Sequence, residues 1–211
     1  MRSVEVPPLP IVLRVNGAAT PWCAEDISTA TSKDFAAVML PKCQDAATIA
    51  ALGASVSAIA LVETARGLAN LTEIAQTPSV RRIAFGSVDF AADIGCAHER
   101  ESLLFALAQI VLASRMAGLA APIDGVTIDI EDEPGIEADA RRTASLGFAG
   151  KLCIHPRQIP PVIRGPAPAD AARVEKVVAS TGEGALCIDG TMVDSPVSRR
   201  AEQILTRGSK S

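Results

Sequence analysis

Six short apolar runs separated by helix-length segments constrain this chain more than any other feature. They are IVLRV (Ile11–Val15), AAVMLP (Ala36–Pro41), SAIALV (Ser57–Val62), RIAFGS (Arg82–Ser87), DGVTI (Asp124–Ile128) and GKLCI (Gly150–Ile154). Each is continuous rather than alternating, the pattern of strands covered on both faces. Between them, RGLANLTEIAQTP sets Leu68, Leu71 and Ile74 on one helical face and stops at Pro78, and ESLLFALAQIVLASRMAG has helical period and ends at Gly118. The repeat from strand to strand is roughly 25 to 35 residues, the size of one βα unit. Consecutive units of this kind give a parallel sheet, doubly wound or closed into a barrel. No GxGxxG follows a strand and no GxxxxGK[ST] is present, so dinucleotide and P-loop readings lose their support. The predicted fold is α/β, a TIM-type (β/α) barrel with six of the eight strands that closure needs. Residues 1–165 form the partial barrel domain and residues 166–211 a C-terminal helix, hairpin and lid. In the second part, ADAARVEKVVAS reads as a surface helix and ALCI-DG-TMVD as a hairpin on an Asp-Gly turn. A last helix is predicted to begin at Ser195.

Composition narrows the partners. Aromatic residues are 3 % of the 211, with no tyrosine, and the net charge is −4 without a basic run. Nucleic acid is therefore not expected as a partner. The five cysteines (Cys23, Cys43, Cys96, Cys153, Cys187) are odd in number and scattered, the usage of reduced cytoplasmic thiols. Three prolines and Glu5 near the start exclude a signal-peptide core. The apolar stretch from Ile49 to Val62 is interrupted by Gly53, Ser55 and Ser57 and is too short to span a bilayer. A cytoplasmic protein without a membrane partner is expected.

In parallel sheets, ligands bind at the carboxyl ends of the strands. The polar residues there are Arg14 and Asn16, Lys42, Glu63 with Thr64 and Arg66, Ser87 and Asp89, and His155. Glu63 and Asp89 lie one βα unit apart, which places them on adjacent strands facing one opening. Two carboxylates so placed repel unless a cation lies between them, and Mg²⁺ takes one or two protein carboxylates and completes its shell with water and substrate oxygens. Arg14 at the same rim suits a substrate carboxylate or a developing enolate. The residues alone also admit a structural reading, which on spacing comes first. Glu63 then sits at a helix N-terminus, Asp89 caps a helix, and Arg14 is their ion-pair partner. Lys42 reads equally as a solvated turn residue or a ligand contact, and His155 as a hydrogen-bonded structural residue.

LRVNGAATPW, AVMLPK, IALVETARGL, RIAFGSVDFAADIG, APIDGVT and LGFAGKLCIHPRQI occur in this order. Together they resemble the citrate lyase beta-subunit-like branch of the HpcH/HpaI aldolase family, which includes malyl-CoA and citramalyl-CoA lyases. The likeness runs from about Val12 to the C-terminal helix. It implies a TIM-like barrel assembled as homotrimers or their multiples, acting on an acyl-CoA or acyl-carrier thioester. It also implies Mg²⁺-dependent cleavage of a carbon–carbon bond in a 3-hydroxyacyl thioester. By motif, Glu63 and Asp89 become metal ligands and Arg14 faces the reacting carbonyl. GTMVDSPV resembles the lid segment whose aspartate, Asp194, reaches a neighbouring subunit's site as acid or base. The family's opening FVPG-like strand and acidic DLED-like strand are absent from this sequence. The alternative expectation is therefore a truncated, non-catalytic member that binds a partner chain through open sheet edges.

Overall fold

The computed structural model describes residues 9–33, 35–53 and 56–165, together with the backbone of residues 186–188 and 191–193. The elements alternate in the order β1 (Val12–Arg14), α1 (Cys23–Ser32), β2 (Ala37–Leu40), α2 (Ala46–Ala50), β3 (Ala58–Val62), α3 (Ala65–Ala69) and α4 (Leu71–Gln76). They continue as β4 (Val80–Phe85), α5 (Ser87–Ile94), α6 (Arg100–Met116), β5 (Ile123–Asp124), α7 (Glu133–Leu146), β6 (Gly150–Lys151) and α8 (Ile159–Arg164). All six strands pair in parallel in the order β1-β2-β3-β4-β5-β6, without a reversal.

That order decides between the two architectures open at the sequence level. Parallel crossovers are almost always right-handed, so a strand order that never reverses keeps every helix on one face and the sheet curls around the other. A doubly wound sheet needs a reversal to place helices on both faces. The result is a six-stranded curled half-barrel, the predicted incomplete TIM-type architecture.

Alternation along each strand divides the apolar residues between the two faces. Val38 and Leu40, then Ala58 and Ala60, face the helices and pack with Ile49, Ile74 and Val80. Val62, Ile83 and Phe85 face the same way and meet Phe90, Leu103, Leu107, Ile110 and Phe148. Met39, Ile59, Leu61 and Ala84 form a smaller cluster on the concave face, with Ala37, Ile123 and Leu152. Both faces of β3 are thus covered, which is why its five residues are all buried and its sequence runs apolar without a break.

Several elements differ from their sequence pattern, among them β6, which spans Gly150–Lys151 rather than Gly150–Ile154. The helix expected through RGLANLTEIAQTP is broken at Asn70, which ends α3 and starts α4 and donates its side-chain amide to the Gln44 carbonyl (2.8 Å). That tertiary bond redirects the chain where periodicity alone reads straight through. The fifth strand is Ile123–Asp124 rather than Asp124–Ile128. There the Asp124 carboxylate takes its neighbour's Gly125 N–H (2.7 Å) and the ladder ends. The fourth strand starts two residues earlier, at Val80. The expected C-terminal hairpin is present as antiparallel β7 (Leu186–Ile188) and β8 (Thr191–Val193). The helices expected at 169–180 and from Ser195, and Asp194 itself, lie outside the described residues. No described helix is long and apolar enough to cross a membrane.

Candidate active site at the carboxyl ends of the strands

Glu63 directly follows β3 and continues the parity of Ile59 and Leu61, so its side chain turns to the concave face. It is 2 % exposed. The N-terminus of the following helix is capped by Thr64, whose Oγ1 accepts the Gly67 N–H (3.1 Å). Glu63 is therefore free of the capping role that its position suggested. Its Oε1 instead accepts the backbone N–H of Lys42, from the end of the neighbouring β2 (2.7 Å). Gly86 lies directly beneath on the other side: a Cβ there would strike the Glu63 Cβ and Oε2. Burial pushes the Glu63 carboxyl above its ordinary value and the nearby Asp89 adds to this. The Lys42 N–H and the positive charges of Arg14 and Lys42 pull the other way without cancelling the rise.

Asp89 is the third residue of α5, inside its first turn rather than its cap; the cap position is Gly86. Phe90 anchors that turn against Phe85 at the end of β4, with ring centroids 5.3 Å apart. The neighbouring Asp89 is thereby left at the rim, half-exposed. Its Oδ1 lies 3.4 Å from the Lys42 ammonium. Asp93, one turn on in α5, accepts the Ala65 N–H at the start of α3 (2.7 Å), tying the two helix starts together.

Lys42 joins the two carboxylates, its amide on one and its ammonium on the other. It is the only non-glycine among the described residues with positive φ (+49°), a conformation that costs about 1–3 kcal/mol at such a residue. Neighbours hold the turn in place. The Cys43 N–H donates to the Leu61 carbonyl (3.1 Å), and the Cys43 carbonyl lies where a Cβ on Gly67 would be. Burial, followed by the charge of Asp45, pushes the Cys43 thiol up to about 12, so it is no nucleophile.

Arg14 pairs in register with Met39 and shares its concave face. Among the described residues it makes no ion pair with either carboxylate, so the ion-pair reading gives way to an exposed guanidinium facing the same opening. His155 caps the 3₁₀ turn Pro156–Gln158, its Nδ1 accepting the Arg157 N–H (3.2 Å), the structural role read from its sequence. Ser87 is buried and bonded to His98 (2.9 Å).

The chemistry of the donor set suits a hard divalent cation. Glu63 and Asp89 offer only oxygen, one carboxylate buried and one at the rim, and the Lys42 ammonium already lies against Asp89. Among the described residues no group of three or more His, Cys, Asp or Glu forms a fuller metal cage, and Mg²⁺ ordinarily takes only one or two protein carboxylates.

The sequence model of HpcH/HpaI aldolase/citrate lyase matches residues 2–156. The chain belongs to this family. Among its relatives, the citrate lyase subunit beta-like protein of Deinococcus radiodurans is 33 % identical, over 95 % of this chain and 76 % of the relative. The L-malyl-CoA/beta-methylmalyl-CoA lyase of Rhodobacter capsulatus is 31 % identical, over 92 % of this chain and 74 % of that lyase. The CitE protein of Mycobacterium tuberculosis, solved with magnesium, acetoacetate and coenzyme A, superposes with a TM-score of 0.85 at 34 % identity. The superposition covers 94 % of this chain and 78 % of that one. Family membership thus rests on sequence and fold together.

Lys42 is the residue that sequence reading undervalued. Its signal was available in AVMLPK, where Pro41 ends β2 at the height of the Glu63 carboxylate. The positive φ that aims both of its donors is a property of the folded turn and has no mark in the sequence.

Proposed function

We propose that this chain is a Mg²⁺-dependent carbon–carbon lyase acting on a 3-hydroxyacyl thioester of the citramalyl-CoA, malyl-CoA or citryl type. The products are an acetyl thioester and a 2-oxo acid. The observation that carries this reading is the convergence of Glu63 and Asp89 on Lys42 at the carboxyl rim, in a family with a member solved with magnesium and coenzyme A.

Glu63 and Asp89 would hold the cation, which supplies Lewis acidity toward oxygens of the 2-oxo-acid portion. In the cleavage direction the 3-hydroxyl gives up its proton to solvent water, its oxygen becomes the carbonyl of the 2-oxo acid, and the carbon–carbon electron pair passes to the acetyl fragment as its enolate. Arg14, exposed on the concave face, offers a fixed positive charge to the enolate oxygen. Asp194 is proposed to return a proton to the enolate carbon, or to remove it in the condensation direction. The burial that raises the Glu63 carboxyl also excludes water and strengthens its attraction for a cation. The thioester carrier is CoA or an acyl-carrier arm, and the assembly a homotrimer or a multiple of one.

Release of pyruvate, glyoxylate or oxaloacetate from the corresponding thioesters, followed with and without Mg²⁺, tests the reading. Activity that needs the metal and falls at least about 100-fold in Glu63→Gln and Asp89→Asn supports it; equal activity in both variants refutes the metal assignment. A second reading, a non-catalytic member that binds a partner chain, draws on one feature. Among the described residues, β1 and β6 each pair with a single neighbour, and unpaired strand edges recruit other chains. Copurification of a stoichiometric partner, with no lyase turnover, would favour it.

A further inference from the structure

The Lys42 ammonium, 3.4 Å from Asp89 Oδ1, is Asp89's only ion-pair partner among the described residues. Its positive charge also acts on the Glu63 carboxylate that the Lys42 amide holds. The two functions of this residue separate cleanly. The amide is fixed, because the turn is wedged between the Leu61 carbonyl and the first turn of α3. The ammonium has room to withdraw, because the side chain is 60 % exposed and makes no other ion pair among the described residues.

We propose that Lys42 is a positioning residue with a built-in competing cation. Its amide orients Glu63, while its ammonium occupies the Asp89 carboxylate until a divalent ion displaces it. This rests on the reading of Glu63 and Asp89 as metal ligands. Without the metal, the lysine neutralises Asp89 and lowers the repulsion between the carboxylates. When the metal binds, that pair must break and the ammonium must withdraw, since it and the ion carry like charge. Lys42 therefore sets the cation concentration at which the site fills, weakening affinity while keeping the site formed when empty.

The competition predicts an effect opposite to that of an ordinary supporting residue, whose removal weakens metal binding. Lys42→Met and Lys42→Gly both keep the backbone N–H and both delete the ammonium. The glycine variant also relieves the positive φ, and so serves if the methionine variant folds poorly. Titration calorimetry with MgCl₂ alone, on the wild-type chain at low ionic strength, gives the reference affinity. Both variants are expected to bind Mg²⁺ about three- to tenfold more tightly. The gain should shrink toward unity at high ionic strength, because the competition is electrostatic. Unchanged or weaker binding in both variants, alongside a normal wild-type isotherm abolished by Glu63→Gln, overturns the role of Lys42 and leaves the metal site standing. No Mg²⁺ binding by the wild-type chain overturns both.

Discussion

At the scale of single residues, the site depends on where side chains are prevented from going. Gly86 is the clearest case, since a methyl group there would occupy the space of the Glu63 carboxylate. Gly86→Ala is expected to rotate that carboxylate away and weaken Mg²⁺ binding about 10- to 100-fold, with the far-ultraviolet circular dichroism unchanged. Wild-type affinity in that variant would mean that Glu63 does not hold the ion. The sequence made Glu63, Asp89 and Arg14 visible because charged residues directly after apolar strands stand out. It left Glu63 ambiguous because a carboxylate before a helix caps as readily as it ligates. Thr64 taking the cap, and the Lys42 amide reaching across from β2, remove the capping reading, and the ligand role is the one proposed above.

At the scale of elements, the last units of the half-barrel are held by a buried ionic cluster. Lys151, 3 % exposed in its side chain, lies 2.8 Å from both Asp124 and Asp139. Thr143 and Thr127 donate to these two carboxylates (2.6 and 2.8 Å). The cluster ties α7 to β5 and β6, whose ladders are only two residues long. Burial pushes Asp139 up, but Lys151, the Thr127 hydroxyl and Arg100 together outweigh it and hold its carboxyl below the ordinary value. The folded value is thus the lower one. Asp139 stabilises the fold above the ordinary carboxylate range, and this stability is lost as pH falls through the folded value. Lys151→Met would leave the buried Asp124 carboxylate without an ion-pair partner and Asp139 with Arg100 alone, and is expected to cost about 3–5 kcal/mol, measured by urea unfolding at neutral pH. In that variant, stability should rise on mild acidification, because protonation then relieves buried charge. Parallel pH profiles for the two proteins would show that the cluster is not what holds α7. These short strands were also the least legible: DGVTI looks like a full strand, yet its aspartate is spent on an ion cluster and a local turn. The long α6 was read almost to the residue, because its period and Gly118 with φ +69° are local properties.

At the scale of the whole molecule, the sequence conveyed the number and direction of the strands, since continuous apolar runs and unit spacing follow from parallel pairing. It left the order within the sheet open between doubly wound and barrel; the unreversed order of the structure decides it. One face of α6 carries exposed Leu104, Phe105, Leu112 and Met116, the last 72 % exposed. Apolar residues gathered in this way mark association surfaces, in keeping with the proposed oligomer. Light scattering is expected to give three, or a multiple of three, times the 21.8 kDa chain mass, and Phe105→Asp to shift it toward the monomer. A monomeric wild-type chain would contradict that assembly. The central claim, one divalent ion held jointly by Glu63 and Asp89, is tested most directly by diffraction from crystals soaked in MnCl₂, using the anomalous signal of manganese as a probe for the site. A single anomalous peak touching oxygens of both carboxylates is the expected result. The absence of a peak at the rim, or a peak bound by only one of the two, would contradict it.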